Sequence, residues 1–251
     1  MPHELLFRRN AVRECLVAGR RKMYRLVVAR DGDLAEAQDI LNEARRRKIL
    51  IEEADKKELN IATHGEPHQN VALEVGPYPY ADLADLIERA RERREDPLIV
   101  LLDLVQDPRN VGALLRTAEA MGVHGIVIQE RRGCEITPTV VTTSAGASEH
   151  LLVAQVTNLV EAMRWLGKQD VWLAGLGLGA ETQTIDTVDL NRPLGLVVGN
   201  EGGGLRRLVR DRCDLMLSLP MFGRVQSLNA AVAGSLALYL ARRARAPAGR
   251  S

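Results

Sequence analysis

The chain has 251 residues, 46% of them hydrophobic and 27% charged, and its 34 Lys and Arg against 33 Asp and Glu leave a net charge of +1. That length suits one large domain or two modest ones with a buried core, and the composition excludes a disordered or collagen-like chain. No apolar run approaches a membrane span and the N-terminus has no apolar signal segment; the three isolated cysteines, Cys15, Cys134 and Cys213, suggest no disulfide framework, so the cytoplasm is the expected compartment.

In chain order, the residue pattern predicts a helix over 10–18, a strand over 24–29, a helix over 34–48 and strands over 49–53 and 71–75. Basic clusters close the first two helices, Arg20-Arg21-Lys22 and Arg45-Arg46-Arg47-Lys48. They either complement the helix dipole and face water or meet phosphates. The two prolines of Gly76–Tyr80 break the pattern, and the charged stretch after them reads as a helix. The chain thus divides into an N-terminal domain over 1–76, a helical linker over 77–96, a larger domain over 97–245 and a flexible tail over 246–251. In the larger domain, short apolar strands at 98–102, 125–128, 151–154, 171–174, 194–198 and 214–219 alternate with helices. That alternation predicts an α/β fold with a mostly parallel sheet covered on both faces.

Leu101–Met121 is the most informative stretch. An apolar strand runs into Asp107-Pro108, a favoured N-cap followed by a residue pre-shaped for the first helical turn. Val111, Leu114, Leu115 and Ala118 make a core-facing stripe, while Arg109, Gly112, Ala113, Arg116 and Ala120 share the other face. Two arginines separated by small residues suit the close approach of a phosphodiester backbone. Leu194–Leu205 is a buried strand ending in Gly199-Asn200-Glu201 and three glycines. Leu217–Gly234 is an apolar run, a Pro/Gly loop and a helix starting near Ser227, with small and apolar residues almost all the way round up to Arg243. Such a helix is buried on more than one side, either in the monomer core or in a homodimer interface.

Other patterns carry less. Gly175–Ala180, GLGLGA, fits a dinucleotide glycine motif, but the β-branched and turn residues after it do not continue as a helix. His64 and His68 enclose Gly65 and Pro67, which spoil a helical metal face, so no metal site is expected.

The three blocks DPRNVGALLRTA, GNEGGGL and LPMFGRVQSLNAAVA, in this order, resemble motifs 1, 2 and 3 of the SpoU-type (TrmH-like) RNA 2′-O-ribose methyltransferases of the SPOUT class. The resemblance covers about residues 98–245, and RRNAVRECL and PHQNVALEV resemble, more loosely, the RNA-binding extension of the large-subunit ribosomal RNA members. It implies a C-terminal trefoil knot, S-adenosylmethionine as cofactor, a homodimer whose active sites are each completed by the partner, and methylation of a guanosine in large-subunit (23S) rRNA. A tRNA ribose methyltransferase and a non-catalytic RNA-binding or ribosome-assembly protein are the alternatives.

Carried over residue by residue, the resemblance assigns catalytic positions to Asn110, Arg116, Glu201, Ser227 and Asn229, and cofactor contacts to Gly175, Gly199, Leu219, Met221 and Leu228. Arg109, Arg20, Arg21, Arg45 and Arg46 are the candidate RNA contacts. The family's motif 1 arginine is sometimes written as a general base. Guanidinium groups hardly deprotonate in proteins, which favours phosphate binding and stabilisation of a developing alkoxide for Arg116. Asn110 could instead satisfy backbone in the first helical turn, and Glu201 could cap the next helix. The chain departs from the family at Arg8-Arg9, where a glycine is usual, at His68-Gln69-Asn70 in place of HQG, and at Gly175-Leu176 in place of Gly-Thr. These changes spare the three motifs and bear on which RNA is recognised.

Overall fold

The computed structural model describes residues 3–245; the tail expected over 246–251 lies outside them. Up to Pro79 the chain forms β1 (Glu4–Phe7), α1 (Arg9–Ala18), β2 (Met23–Ala29), α2 (Gln38–Arg46), β3 (Leu50–Ala54), α3 (Lys56–Ala62) and β4 (Val71–Val75). Then follow α4 (Leu83–Arg93), β5 (Leu98–Asp103), α5 (Pro108–Ala120), β6 (Gly125–Gln129), α6 (Pro138–Thr143), β7 (Val153–Val156), α7 (Leu159–Gly167) and β8 (Trp172–Leu176). The chain continues with β9 (Gln183–Thr184), β10 (Leu194–Gly199), α8 (Arg207–Arg210), β11 (Leu215–Ser218) and α9 (Ala230–Arg245). They make two compact units. The first runs to Pro79 and also takes in Ile136–His150; the second comprises Tyr80–Glu135 and the chain from Leu151 onward.

The first unit is a mixed four-stranded sheet in the order β1-β4-β2-β3, antiparallel except for the parallel pair β2–β3. Its far-flung segment is held by charge. The buried Arg21 side chain donates from Nε to both carboxylate oxygens of buried Glu149, at 3.2 and 3.0 Å, and from a terminal nitrogen to Glu4 Oε2 at 2.6 Å. The Tyr78 hydroxyl donates to the Ser148 carbonyl at 2.9 Å, and burial pushes it up to about 12. Burial works against the Arg21 charge, but the carboxylates of Glu149 and Glu4 outweigh it and hold the guanidinium above its ordinary value.

The second unit is a seven-stranded sheet in the order β7-β6-β5-β10-β8-β11-β9, every pair parallel. β5 and β10 are buried along their whole length, as strands covered on both faces must be. The stretch expected as a linker is more than a connection. Leu86, Ile87 and Ala90 of α4 are buried, and a Cβ on Gly125 would lie 2.0 Å from Leu86 Cγ, so α4 is pressed against β6. Asp107 caps α5 by accepting from the Arg109 amide at 2.8 Å, and Val111, Leu114, Leu115 and Ala118 are buried as their spacing predicts. Gly112, placed by the sequence on the outer face, is buried as well. α9 comes close at Gly234, where a Cβ would stand 2.9 Å from Leu114 Cδ1 and 3.2 Å from Val198 Cγ2. Among the described residues no helix is long and apolar enough to cross a membrane.

Candidate active site

In the second unit β5, β8, β10 and β11 all point their carboxyl ends the same way, and β6 and β10 flank β5 on opposite sides. The crevice beyond such strand ends is where open α/β sheets take ligands. Here the loops after β8, β10 and β11 enclose a cavity of about 390 Å³, walled by Leu176, Gly177, Leu178, the run from Val198 to Leu205, Leu219, Met221, Ser227 and Leu228. A second depression of about 350 Å³ shares Asn200, Glu201, Gly202 and Gly203 with it and is otherwise lined by Leu104–Asp107 and Asn110. The glycine loop is therefore a partition with space on either side.

Its glycines have separate reasons. A Cβ at Gly199 would lie 2.3 Å from the Gly204 carbonyl carbon, because Asn200 and Gly204 close the loop with reciprocal backbone bonds of 3.2 and 3.1 Å. Gly204 sits at φ +62, and a Cβ on Gly202 or Gly204 would meet no other atom within 4 Å. Close packing of the turn thus requires Gly199 and the positive φ favours glycine at Gly204, while Gly202 leaves open space beside the cavity.

The three sequence motifs meet in one cluster of side chains. Asn110 Nδ2 donates to Glu201 Oε1, and Asn229 Nδ2 donates to the same oxygen at 2.8 Å and to Asn110 Oδ1 at 3.1 Å. Asn229 Oδ1 accepts from the backbone amides of Ala231 and Val232 at 2.9 and 3.3 Å, which makes Asn229 the N-cap of α9. The helix accordingly starts at Ala230 and not near Ser227, which stays in the loop and lines the cavity. Glu201 caps no helix, since α8 begins only at Arg207. The Asn110 side chain bonds to other side chains here, Asp107 Oδ2 at 3.4 Å being the one near it in sequence.

Of the five expected cofactor residues, Gly199, Leu219, Met221 and Leu228 line the cavity and Gly175 does not. Gly175 lies inside β8, where a Cβ would run into Leu205, Met216 and Cys213 at 2.6 to 2.9 Å. The wall is formed instead by the next three residues, the middle of the GLGLGA run, which continues into a turn and not a helix. Arg109 and Arg116 are exposed on α5, and neither lines the cavity nor bonds to the Asn110–Glu201–Asn229 cluster.

The N-terminal arginines divide. Arg21 is not open to RNA, because its side chain is buried on Glu149 and Glu4. Arg20 is likewise engaged, donating to the carbonyls of Glu149 and Pro79 at 3.2 and 3.1 Å. Arg46 pairs with Glu43 on the surface, and Arg45 is exposed with a single 3.3 Å bond to Asn42.

Sequence reasoning missed Asp103 and Arg206. Asp103, fully buried at the end of β5, accepts from the Arg206 amide at 2.8 Å and from its Nε at 2.7 Å, while the guanidinium reaches Gln129 at 3.0 Å. This pair pins the exit of the glycine loop to the sheet. No local pattern could have revealed it, since its partners are 103 positions apart.

Residues 97–239 match the model of the SpoU rRNA methylase family, and residues 5–81 match the model described as RNA 2′-O ribose methyltransferase substrate binding. The chain is 40% identical over 247 residues to YacO of Bacillus subtilis, assigned to the TrmH family of tRNA/rRNA methyltransferases, covering 98% of each. Among solved structures, the SpoU methyltransferase AviRb of Streptomyces viridochromogenes in complex with AdoMet matches with a TM-score of 0.81 at 26% identity, over 97% of this chain and 90% of that one. An AdoMet-bound rRNA methyltransferase from Sinorhizobium meliloti matches with a TM-score of 0.77 at 25% identity, over 96% of this chain and 87% of the other.

Proposed function

The chain belongs to the SpoU rRNA methylase family and is an S-adenosylmethionine-dependent RNA methyltransferase, and from that premise we propose that it methylates the ribose 2′-hydroxyl of a guanosine in large-subunit (23S) ribosomal RNA. The observation that carries the choice of RNA is the extent of the match. The substrate-binding model fits the N-terminal unit, and the likeness to an rRNA methyltransferase runs through 96% of the chain.

The cavity fits the donor. Its 390 Å³ falls in the range of about 300–1,000 Å³ usual for cofactor sites, its walls are mostly apolar and backbone, and the open side of Gly202 and Gly204 leaves room for a ligand to lie against the main chain. Bound there, the donor supplies a methyl group already activated on a sulfonium. Leu219, Met221, Leu228 and the Gly199 loop would hold it, and the target ribose would enter beside Asn110, where the depression and the cavity meet at Glu201. Asn110 and Asn229 both donate to Glu201 Oε1, which fixes the carboxylate and leaves Oε2 to accept the hydroxyl proton. Ser227, on the cavity wall, orients the same hydroxyl. Arg109 and Arg45 hold backbone phosphates.

Arg116 lies outside its own cavity, so we assign it to the site of a second copy in a homodimer. α9 carries the surface for that assembly: Val232, Leu236 and Tyr239, spaced four and three residues apart, are 46, 45 and 49% exposed. Leu236→Glu is expected to turn a dimer into a monomer in sedimentation equilibrium; a monomeric wild type would sink the assembly.

The deciding experiment is transfer of labelled methyl groups to unmodified large-subunit rRNA and to bulk tRNA, side by side. Label mapped to one guanosine ribose in rRNA is the expected result. Label in tRNA moves the function to that substrate, and donor binding without transfer to either RNA, or to assembled large-subunit particles, would make the chain a non-catalytic binding protein.

A further inference from the structure

A surface groove of the second unit, about 980 Å³, shares no residue with the donor cavity. It runs along α7, whose nine residues span roughly 13 Å. Half-buried Trp165 packs on the core with one part and lines the groove with another. Around it stand Arg164, Lys168 and Arg212, with Glu161 as the single acidic lining residue, already paired to Arg164. Lys168 and Arg212 have no ion-pair or side-chain hydrogen-bond partner among the described residues. A chain of net charge +1 thus sets two unneutralised cations beside an aromatic ring in a long concave surface.

A route joins this groove to the proposed target site. Gln106, in the depression beside Asn110, donates to the Arg132 carbonyl at 3.1 Å. Arg131 and Arg132 are both exposed on a tight turn after β6. Arg132 has φ 61, and a Cβ on Gly133 would lie 2.2 Å from the Gln129 carbonyl oxygen, so the turn is fixed. From there Thr157, at the mouth of the groove, bonds to Glu130 at 3.4 Å. Two exposed cations, Arg131 and Arg132, thus stand after β6 between the depression and the end of the groove that begins after β7.

We propose that the α7 groove is a second RNA-binding surface, taking a single-stranded segment that flanks the target nucleotide, with a base stacked on Trp165 and phosphates on Lys168 and Arg212. An aromatic face between cations is the chemistry that holds single strands without reading their sequence. This rests on the chain acting on RNA, and deepens that reading by giving the substrate a path away from the reacting ribose.

The test uses the full chain and an oligoadenylate of about twenty nucleotides, long enough to fill a single-strand site. In Lys168→Ala/Arg212→Ala, affinity is expected to fall about ten-fold, and the slope of log affinity against log salt to shrink by about 1.4, or 0.7 per lost phosphate contact. Donor affinity, read by calorimetry, stays unchanged. In Trp172→Phe, Trp165 is the one tryptophan left, and its fluorescence is expected to be quenched along the same binding curve. Unchanged salt slope and unquenched Trp165 in a protein that still methylates RNA would overturn the groove alone and leave it to a protein ligand. A wild type that neither binds nor methylates RNA would overturn both the groove and the activity it rests on.

Discussion

Arg116→Ala is expected to lower methyl transfer by about 10²–10³-fold, the usual loss when one preorganised stabiliser of developing negative charge is removed. Donor affinity should stay within a few-fold, because Arg116 lies outside the cavity lined by Gly199, Leu219, Met221 and Leu228. The geometry allows a sharper version. Asn229→Ala disables the side-chain cluster but leaves Arg116 intact. If each site takes its arginine from the other copy, mixing the two inactive variants rebuilds one complete site in each mixed dimer. Activity then returns to about a quarter of wild type after subunit exchange. No recovery, with mixed dimers demonstrated by a tag, would put Arg116 back in its own copy's site. Normal turnover in Arg116→Ala would remove it from the chemistry altogether.

The second large effect is on stability. Arg21→Met leaves Glu149 buried without its partner, and breaking a buried pair from one side costs about 3–5 kcal/mol. Glu149→Leu in the same background is expected to recover most of that, because two apolar groups have no desolvated charge to satisfy. Two units need two reporters, since a chain of this kind need not unfold in one step. Both tryptophans, Trp165 and Trp172, belong to the second unit, so fluorescence follows that one. Cys15 is fully buried in the first, and its thiol is pushed up chiefly by that burial, so alkylation of Cys15 in denaturant follows the other. Arg21→Met should shift the Cys15 curve to lower denaturant and leave the tryptophan curve in place. An unshifted Cys15 curve would show that the pair is not what holds the first unit, and coincident shifts would show that both units unfold as one.

The sequence carried far where the relevant physics is local. Asp107-Pro108 and the stripe after it defined α5, and alternating apolar runs located six of the parallel strands to within about two residues. Glu4–Phe7 gives no periodic signal, because four residues are too few for a period to register. Lys56–Ala62 buries only Leu59 and so has no apolar stripe; its readable signal was the capping box from Asp55 to Glu58. The candidate site followed the same division. Asn110, Glu201 and Asn229 came from motifs, and the fold brings them together. The basic run at Arg20–Lys22 looked like a phosphate contact because nothing near it in sequence announces Glu149, 128 positions away from Arg21. Charge clusters show where cations are, and only the folded chain shows which of them are already taken.

The segment Ile136–His150 has a consequence for biogenesis. On the ribosome, everything up to Pro79 emerges first and would ordinarily fold as it appears. Here that part has only the Glu4 carboxylate for Arg21, and lacks both that of Glu149 and the carbonyl for the Tyr78 hydroxyl until His150 has been made. At ordinary elongation rates the wait is several seconds, roughly the time needed to translate the intervening strands and helices. The first unit to be synthesised is thus the one that must stand unfinished, and its buried arginine is a latch that the later half of the message closes.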